Sequence, residues 1–240
     1  MKQWKTENGT QIIKLLSGRI NVYLVKCSGF NILVDTGMCY AYRSLKKAIL
    51  KSLPLSETVS YLVLTHTHFD HCRNAHRIKR DYQCRIVAGE NESNCTEAGF
   101  TPIPEGTNWF TKRISNLGKR LGRSFLGYYP FTVDVVIQNQ LKIENQSSKI
   151  EMISTPGHST GSISVLVDNE IALVGDAMFG TFKNSIFPPF ADDVTEMKRS
   201  WKKLLDTGCN IFFPGHGKEI CKKLVEKEIE KHQALTSKIN

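Results

Sequence analysis

Leu64-Thr65-His66-Thr67-His68-Phe69-Asp70-His71 is the stretch of this 240-residue chain on which the reading turns. Four side chains able to bind a metal, His66, His68, Asp70 and His71, fall within six residues at the end of the apolar run Val59 to Leu64. Side chains of a strand alternate between its faces, so His66 and His68 project to one side. The chain must then turn, which brings Asp70 and His71 to the same space from a loop or helix start. Neutral imidazoles with a carboxylate suit zinc, iron, manganese or similar ions. Three histidines and an aspartate packed this closely would be costly in a core that lacked a cation.

Three segments further along share this grammar of apolar run, sharp turn and candidate ligand: Thr155-Pro156-Gly157-His158-Ser159-Thr160-Gly161, Leu173-Val174-Gly175-Asp176 and Phe213-Pro214-Gly215-His216-Gly217. Glycine permits the backbone angles and close approach of a crowded site. Together His66, His68, Asp70, His71, His158, Asp176 and His216 make seven candidate metal ligands. Two four- to five-coordinate cations need about that number if a carboxylate and a hydroxide bridge them. His76 and His232 are left over and are expected at the surface. Asp193-Val194-Thr195-Glu196 has capping-box spacing, so Asp192 and Asp193 read as a helix start.

Around these motifs the apolar pattern predicts strands at Ile12 to Leu16, Ile20 to Lys26, Phe30 to Asp35 and Val59 to Leu64, and a helix over Tyr40 to Ser52 that ends at Pro54. A second group of strands is predicted at Phe131 to Ile137, Ile150 to Ser154, Ser162 to Val167, Ile171 to Val174 and Asn210 to Phe213. Helices are predicted at Thr195 to Asp206 and Lys218 to Leu235. The alternation argues for an α/β layered fold, and the length for one domain over residues 1–240. Residues 100–130 read as a basic helical insert. Ile114, Leu117, Leu121 and Phe125 form a helical stripe among Lys112, Arg113, Lys119, Arg120 and Arg123.

The ordered set H-x-H-x-D-H (66–71), T-P-G-H-S-x-G-S (155–162), G-D (175–176) and P-G-H-G (214–217) resembles the metallo-β-lactamase-fold metallohydrolases, in motif style the glyoxalase II and lactonase branch. That resemblance implies a four-layer αβ/βα sandwich with the metal site at one edge. His66, His68 and His158 would then hold one ion, Asp70, His71 and His216 a second, and Asp176 would bridge them. Two zinc ions are implied, with manganese or iron as substitutes. Val34-Asp35-Thr36-Gly37 matches an early D-T-G of the family, which makes Asp35 an orienting residue behind the ligands. Cys72-Arg73-Asn74 departs from the family, which commonly has glycine after the last histidine of the first motif; Cys72 reads as a packing thiol.

The expected activity is hydrolysis of an ester, lactone, thioester or amide bond of a small molecule by a bridging hydroxide, with Asp70 orienting the nucleophile and moving its proton. A phosphodiesterase or nuclease on the same site, a mononuclear-iron sulfur dioxygenase and a non-catalytic metal-binding protein remain as alternatives. Trp109, Phe110, Tyr128 and Tyr129 of the insert, with Phe182 and Phe187 of the loop after Asp176, are candidate substrate contacts. The 32 Lys+Arg against 23 Asp+Glu give a net charge of +9, which suits an anionic substrate. Nucleic acid is not the expected partner. No apolar run approaches the ~20 residues of a membrane span. Met1 to Gly9 is polar, and the seven cysteines contain no C-x-x-C, so reduced thiols and a cytoplasmic protein are expected.

Overall fold

The computed structural model describes residues 1–144 and 147–236, with the side chains of 233–236 left aside. One sheet has seven strands, β1 (Lys2–Lys5), β2 (Gln11–Leu16), β3 (Val22–Cys27), β4 (Phe30–Val34), β5 (Tyr61–Val63), β6 (Arg85–Gly89) and β7 (Val135–Ile137), side by side in chain order. The first four are antiparallel, whereas β4 to β7 run parallel. The second sheet has six strands, β8 (Gln140–Glu144), β9 (Lys149–Ser154), β10 (Ile163–Val167), β11 (Ile171–Gly175), β12 (Ile211–Pro214) and β13 (Ile220–Cys221), and its only parallel pair is β11 with β12.

Parallel neighbours require crossovers, and helices supply them. α1 (Tyr42–Ser52) joins β4 to β5; α2 (Phe69–Cys72) and α3 (Ala75–Tyr82) join β5 to β6. α4 (Ser93–Ala98) and α5 (Trp109–Leu126) lie between β6 and β7, and α6 (Val194–Asp206) between β11 and β12. α7 (Lys222–Thr236) follows β13. The period-two alternation of the strands then builds the layers. Ile32, Val34, Val63 and Val87 face Met152, Val165, Leu173 and Phe213 in a core between the sheets. Leu33, Leu62, Ile86 and Ala88 point the other way, against Leu45, Ile49, Ala75 and Ile78 of α1 and α3. Across the molecule Ala172, Val174 and Phe212 meet Met197, Trp201, Leu204 and Val225 of α6 and α7. Helix, sheet, sheet and helix are therefore stacked in the αβ/βα order, with strands buried on both faces, as parallel sheets require.

Several boundaries differ from the sequence expectation. Phe131 to Asp134 is not strand: Phe131 turns into the core beneath the first sheet, and just ahead of β7 the Asp134 carboxylate accepts from Ile86 N while Asp134 N donates to Ile86 O. The closing helix begins at Lys222, because Ile220–Cys221 pair with β12 first. Three strands lie outside the sequence expectation: β1 and β8, which are polar edge strands, and β6, a short run around Ile86 and Val87. Among the described residues, no helix is long and apolar enough to cross a membrane.

At the start of α6 the Asp193 carboxylate accepts from Thr195 N and Glu196 N, at 2.7 and 3.0 Å. Asp193→Ala is expected to cost about 1 kcal/mol, a fall in Tm of roughly 2–4 °C. Trp201→Ala, which empties a site with no exposed surface, is expected to cost about 3–5 kcal/mol. Thermal and urea denaturation of the two variants check the ordering.

Candidate metal centre

Every candidate ligand leaves the end of a strand. β5 delivers Thr65 and His66; His68 stands at the N-terminal cap of α2, and Asp70 and His71 lie on that helix. His158 occupies the turn between β9 and β10, Asp176 follows β11 directly, and His216 follows β12. The second sheet's strand ends thus meet those of β4 and β5 at one edge. Glycine makes the convergence possible. At Gly175, φ is +52° and a Cβ would overlap the Thr65 hydroxyl; at Gly215 it would overlap Asp176 Oδ1 and the His71 ring.

All seven candidates come together, in three overlapping groups whose ligand atoms lie within 4.8 Å of one another: His66, His68 and His158; His66, His71 and Asp176; Asp70, His71 and His216. Asp176 stands between the histidines, with Oδ1 3.3 Å from His71 Nε2, and Oδ2 3.3 Å from His216 Nε2 and 3.7 Å from His158 Nε2. Asp70 Oδ2 is 3.5 Å from His216 Nε2.

The outward ring nitrogens decide what this arrangement can hold. His158 Nδ1 donates to Phe190 O at 2.9 Å and His216 Nδ1 to Arg19 O at 2.5 Å. His71 Nδ1 donates to Asp35 Oδ2 at 2.9 Å. A carbonyl or carboxylate can only accept, so each of these rings carries a proton on its outward nitrogen and turns the other nitrogen inward. At His158 the inward nitrogen is Nε2, which lies 3.0 Å from His68 Nδ1. His66 Nε2, His71 Nε2 and Asp176 Oδ1 are buried with no hydrogen-bond partner. Buried polar atoms left without a partner in this way are what a divalent cation satisfies, and the donor set fits zinc, manganese or iron.

Burial, then the neighbouring imidazoles, hold His66 well below the usual histidine range. Burial pushes His68 and His158 down to about 4, so all three are neutral and ready to ligate at pH 7. Burial also pulls on His71, but the Asp176 and Asp35 carboxylates outweigh it and hold His71 well above its ordinary value. Asp176 is held well below the carboxylate range, because His216 and His71 more than cancel the effect of burial. This half of the cluster is a place for positive charge.

Asp35 sits immediately behind the site with φ of +61°. It takes Thr65 N at 2.9 Å and the Thr65 hydroxyl as well as His71, tying β4 to the first ligand loop. The sequence reading missed Glu92. Its buried carboxylate accepts from Thr67 N and the Thr67 hydroxyl between His66 and His68, and from Ser159 Oγ beside His158. It clamps two ligand loops together, yet Glu90-Asn91-Glu92-Ser93 reads as solvated turn and carries no signal of burial. Cys72 packs as expected, its thiol donating to Thr67 O.

The six aromatic candidates do not form one wall. Phe110, Phe182 and Phe187 line an apolar cleft of about 580 Å³ with Ile114 and Phe190. The segments are joined at its base, where Gly106 bridges Phe190 and Thr107 N donates to Pro189 O. Phe190 also holds His158, so the cleft abuts the metal cluster. Tyr128 is instead a core residue whose hydroxyl bonds Thr101 and Cys95 O. Tyr129 stacks on His76 at 4.1 Å, and Trp109 is 72% exposed. The two spare histidines also differ from expectation: His76 is half-buried against Tyr129, and His232 lies against Phe187 and Trp201.

Comparison with known proteins agrees with this geometry. The family model described as the metallo-beta-lactamase superfamily matches residues 17–216. The chain is 23% identical to an atrochrysone carboxyl ACP thioesterase of Aspergillus fumigatus over 89% of its own length, but spans only 56% of that protein. It is 24% identical to a probable metallo-hydrolase of Methanocaldococcus jannaschii, covering 78% of this chain and 82% of that one. Among solved structures, a metallo-beta-lactamase of Cronobacter sakazakii superposes with a TM-score of 0.71 at 18% identity, over 99% of this chain and 93% of that one. A metallo-beta-lactamase superfamily protein of Sulfolobus tokodaii superposes with a TM-score of 0.67 at 19% identity, over 92% and 85%. The superpositions bear on the fold alone.

Asp35→Asn keeps the shape of the side chain but removes the charge behind His71. Metal affinity is expected to fall roughly 10–100-fold, read by competition with a chelator of known affinity, while Asp193→Ala leaves it unchanged.

Proposed function

Since the chain belongs to the metallo-β-lactamase superfamily, we propose that it is a hydrolase that cleaves an ester, lactone, thioester or amide bond of a small molecule at a dinuclear centre, zinc being the expected metal. His66, His68 and His158 would hold one cation, Asp70, His71 and His216 the other, with Asp176 shared between them. The observation that carries the reading is the convergence of seven ligand side chains in which the buried His66 Nε2, His71 Nε2 and Asp176 Oδ1 have no hydrogen-bond partner.

Bound divalent cations would supply a lowered water pKa and stabilisation of the oxyanion that develops on the attacked carbonyl. The protein's own groups do the rest. Asp70, partly exposed at the start of α2 beside His216, is the carboxylate positioned to take a proton from the attacking water and return it to the leaving group. Asp35 and the Phe190 and Arg19 carbonyls fix His71, His158 and His216 by their outward nitrogens, so the inward ones are pre-oriented. Phe110, Phe182 and Phe187 offer an apolar bed for the substrate's non-reacting part. The Aspergillus relative is named as a thioesterase, which supports including thioesters in the substrate range. All seven cysteines are free, which supports a reducing, cytoplasmic setting.

Asp70→Asn is expected to lower kcat on a responsive lactone or thioester by roughly 10²–10⁴-fold, and chelation to abolish turnover. KM is expected to vary little with salt, whereas a phosphodiester substrate would show a steep dependence. A panel of lactones, thioesters and phosphodiesters assayed at two ionic strengths checks both.

A further inference from the structure

α5 has its faces reversed for a helix packed on a protein. Asn108 caps it and closes a box with Thr111. The residues it buries are Thr111, Ser115 and Gly118, with Leu126 after a break at Gly122. Its apolar side chains Phe110, Ile114, Leu117 and Leu121 follow each other along one stripe, and all are exposed; Trp109 and Phe125 extend the surface at its ends. Leu117 is 58% exposed. A contiguous apolar stripe of this kind, rimmed by polar residues, marks an interaction surface.

The rim is cationic. Lys112, Arg113, Lys119, Arg120 and Arg123 are exposed along the helix, and no Asp or Glu occurs from Gly106 to Val133. Among the described residues only Lys119 of these five has an ion-pair partner, Glu105, while Arg113 stands over the Trp109 ring. Beyond the helix's end, Arg123 and Tyr129 share a cavity of about 620 Å³ with Arg73, Arg77 and Arg80, and no carboxylate lines it. Aliphatic and aromatic side chains flanked by a run of Lys and Arg are complementary to the headgroup region of an anionic bilayer. A second copy of the same face would set five cations against five. Three of the four stripe residues, Ile114, Leu117 and Leu121, are aliphatic and give nucleic-acid bases nothing to stack on.

We propose that α5 docks the protein on an anionic phospholipid surface, laying the Phe110–Leu121 stripe into the headgroup boundary with its basic rim on the lipid phosphates. Phe110 and Ile114 belong both to the stripe and to the cleft beside the metal cluster, so the docked protein turns that cleft toward the bilayer.

The test is co-sedimentation of the full chain with phosphatidylglycerol/phosphatidylcholine vesicles and with pure phosphatidylcholine vesicles, using the wild type and the double variant Leu117→Glu/Leu121→Glu. Both substituted residues are exposed, and an unchanged Tm confirms that the variant is folded. The wild type is expected to bind the anionic vesicles at least about tenfold more tightly than the neutral ones and to be released as salt rises from about 0.1 to 0.5 M. The double variant is expected to lose at least about tenfold in binding. No vesicle binding, or equal binding by the double variant, overturns the proposal. It is also overturned if the substitutions abolish self-association or oligonucleotide binding instead of vesicle binding.

Discussion

His68 and His158 bring ring nitrogens to within 3.0 Å of each other in a buried cluster of imidazoles and carboxylates, and the surrounding architecture holds them there. His158 is pinned from behind by the Phe190 carbonyl, and Asp176 adds a buried carboxylate to the same space. Such an arrangement is stable only when positive charge fills it. Elsewhere in the cluster protons can supply part of that charge, as at His71, where two carboxylates raise the imidazole's affinity for one. At His66, His68 and His158 burial opposes protonation, and a cation is the remaining answer.

Much of the fold serves this constraint. Seven ligands from four strand ends can converge only if two sheets meet at an edge with their chain directions aligned, which the parallel sets β4–β5 and β11–β12 accomplish. Backbone must then approach side chain closely, and Gly175 and Gly215 leave that room. Two buried carboxylates outside the ligand set, Asp35 and Glu92, cross-link the loops, the first from β4 to His71 and the second from the 66–68 loop to the 158–159 turn. Rigidity here comes from hydrogen bonds to loop backbone, which a pattern of apolar residues cannot supply.

This division explains what the sequence disclosed. His66 to His71 were legible because local geometry, strand alternation followed by a helix start, fixes their direction without knowledge of the rest. His158, Asp176 and His216 were legible through repetition of the same turn grammar. The sheet strands followed from runs such as Ile163 to Val167, while β1 and β8 were hidden because edge strands bury only one face. Glu92 was invisible, since its burial depends on partners 25 and 67 residues away in the chain. Tyr128 misled for the same reason: its aromatic ring looked available, but Thr101 and Phe131 enclose it. The stripe of α5 was read correctly as helical, yet periodicity cannot say which face is turned to solvent.

The central claim is that the ligand cluster exists to hold cations, and metals per chain measure it most directly. Elemental mass spectrometry on protein expressed without added metal and purified without chelator is expected to find about two divalent cations per folded chain. A folded protein carrying none would contradict the account, and one iron with little zinc would contradict its dinuclear hydrolytic form.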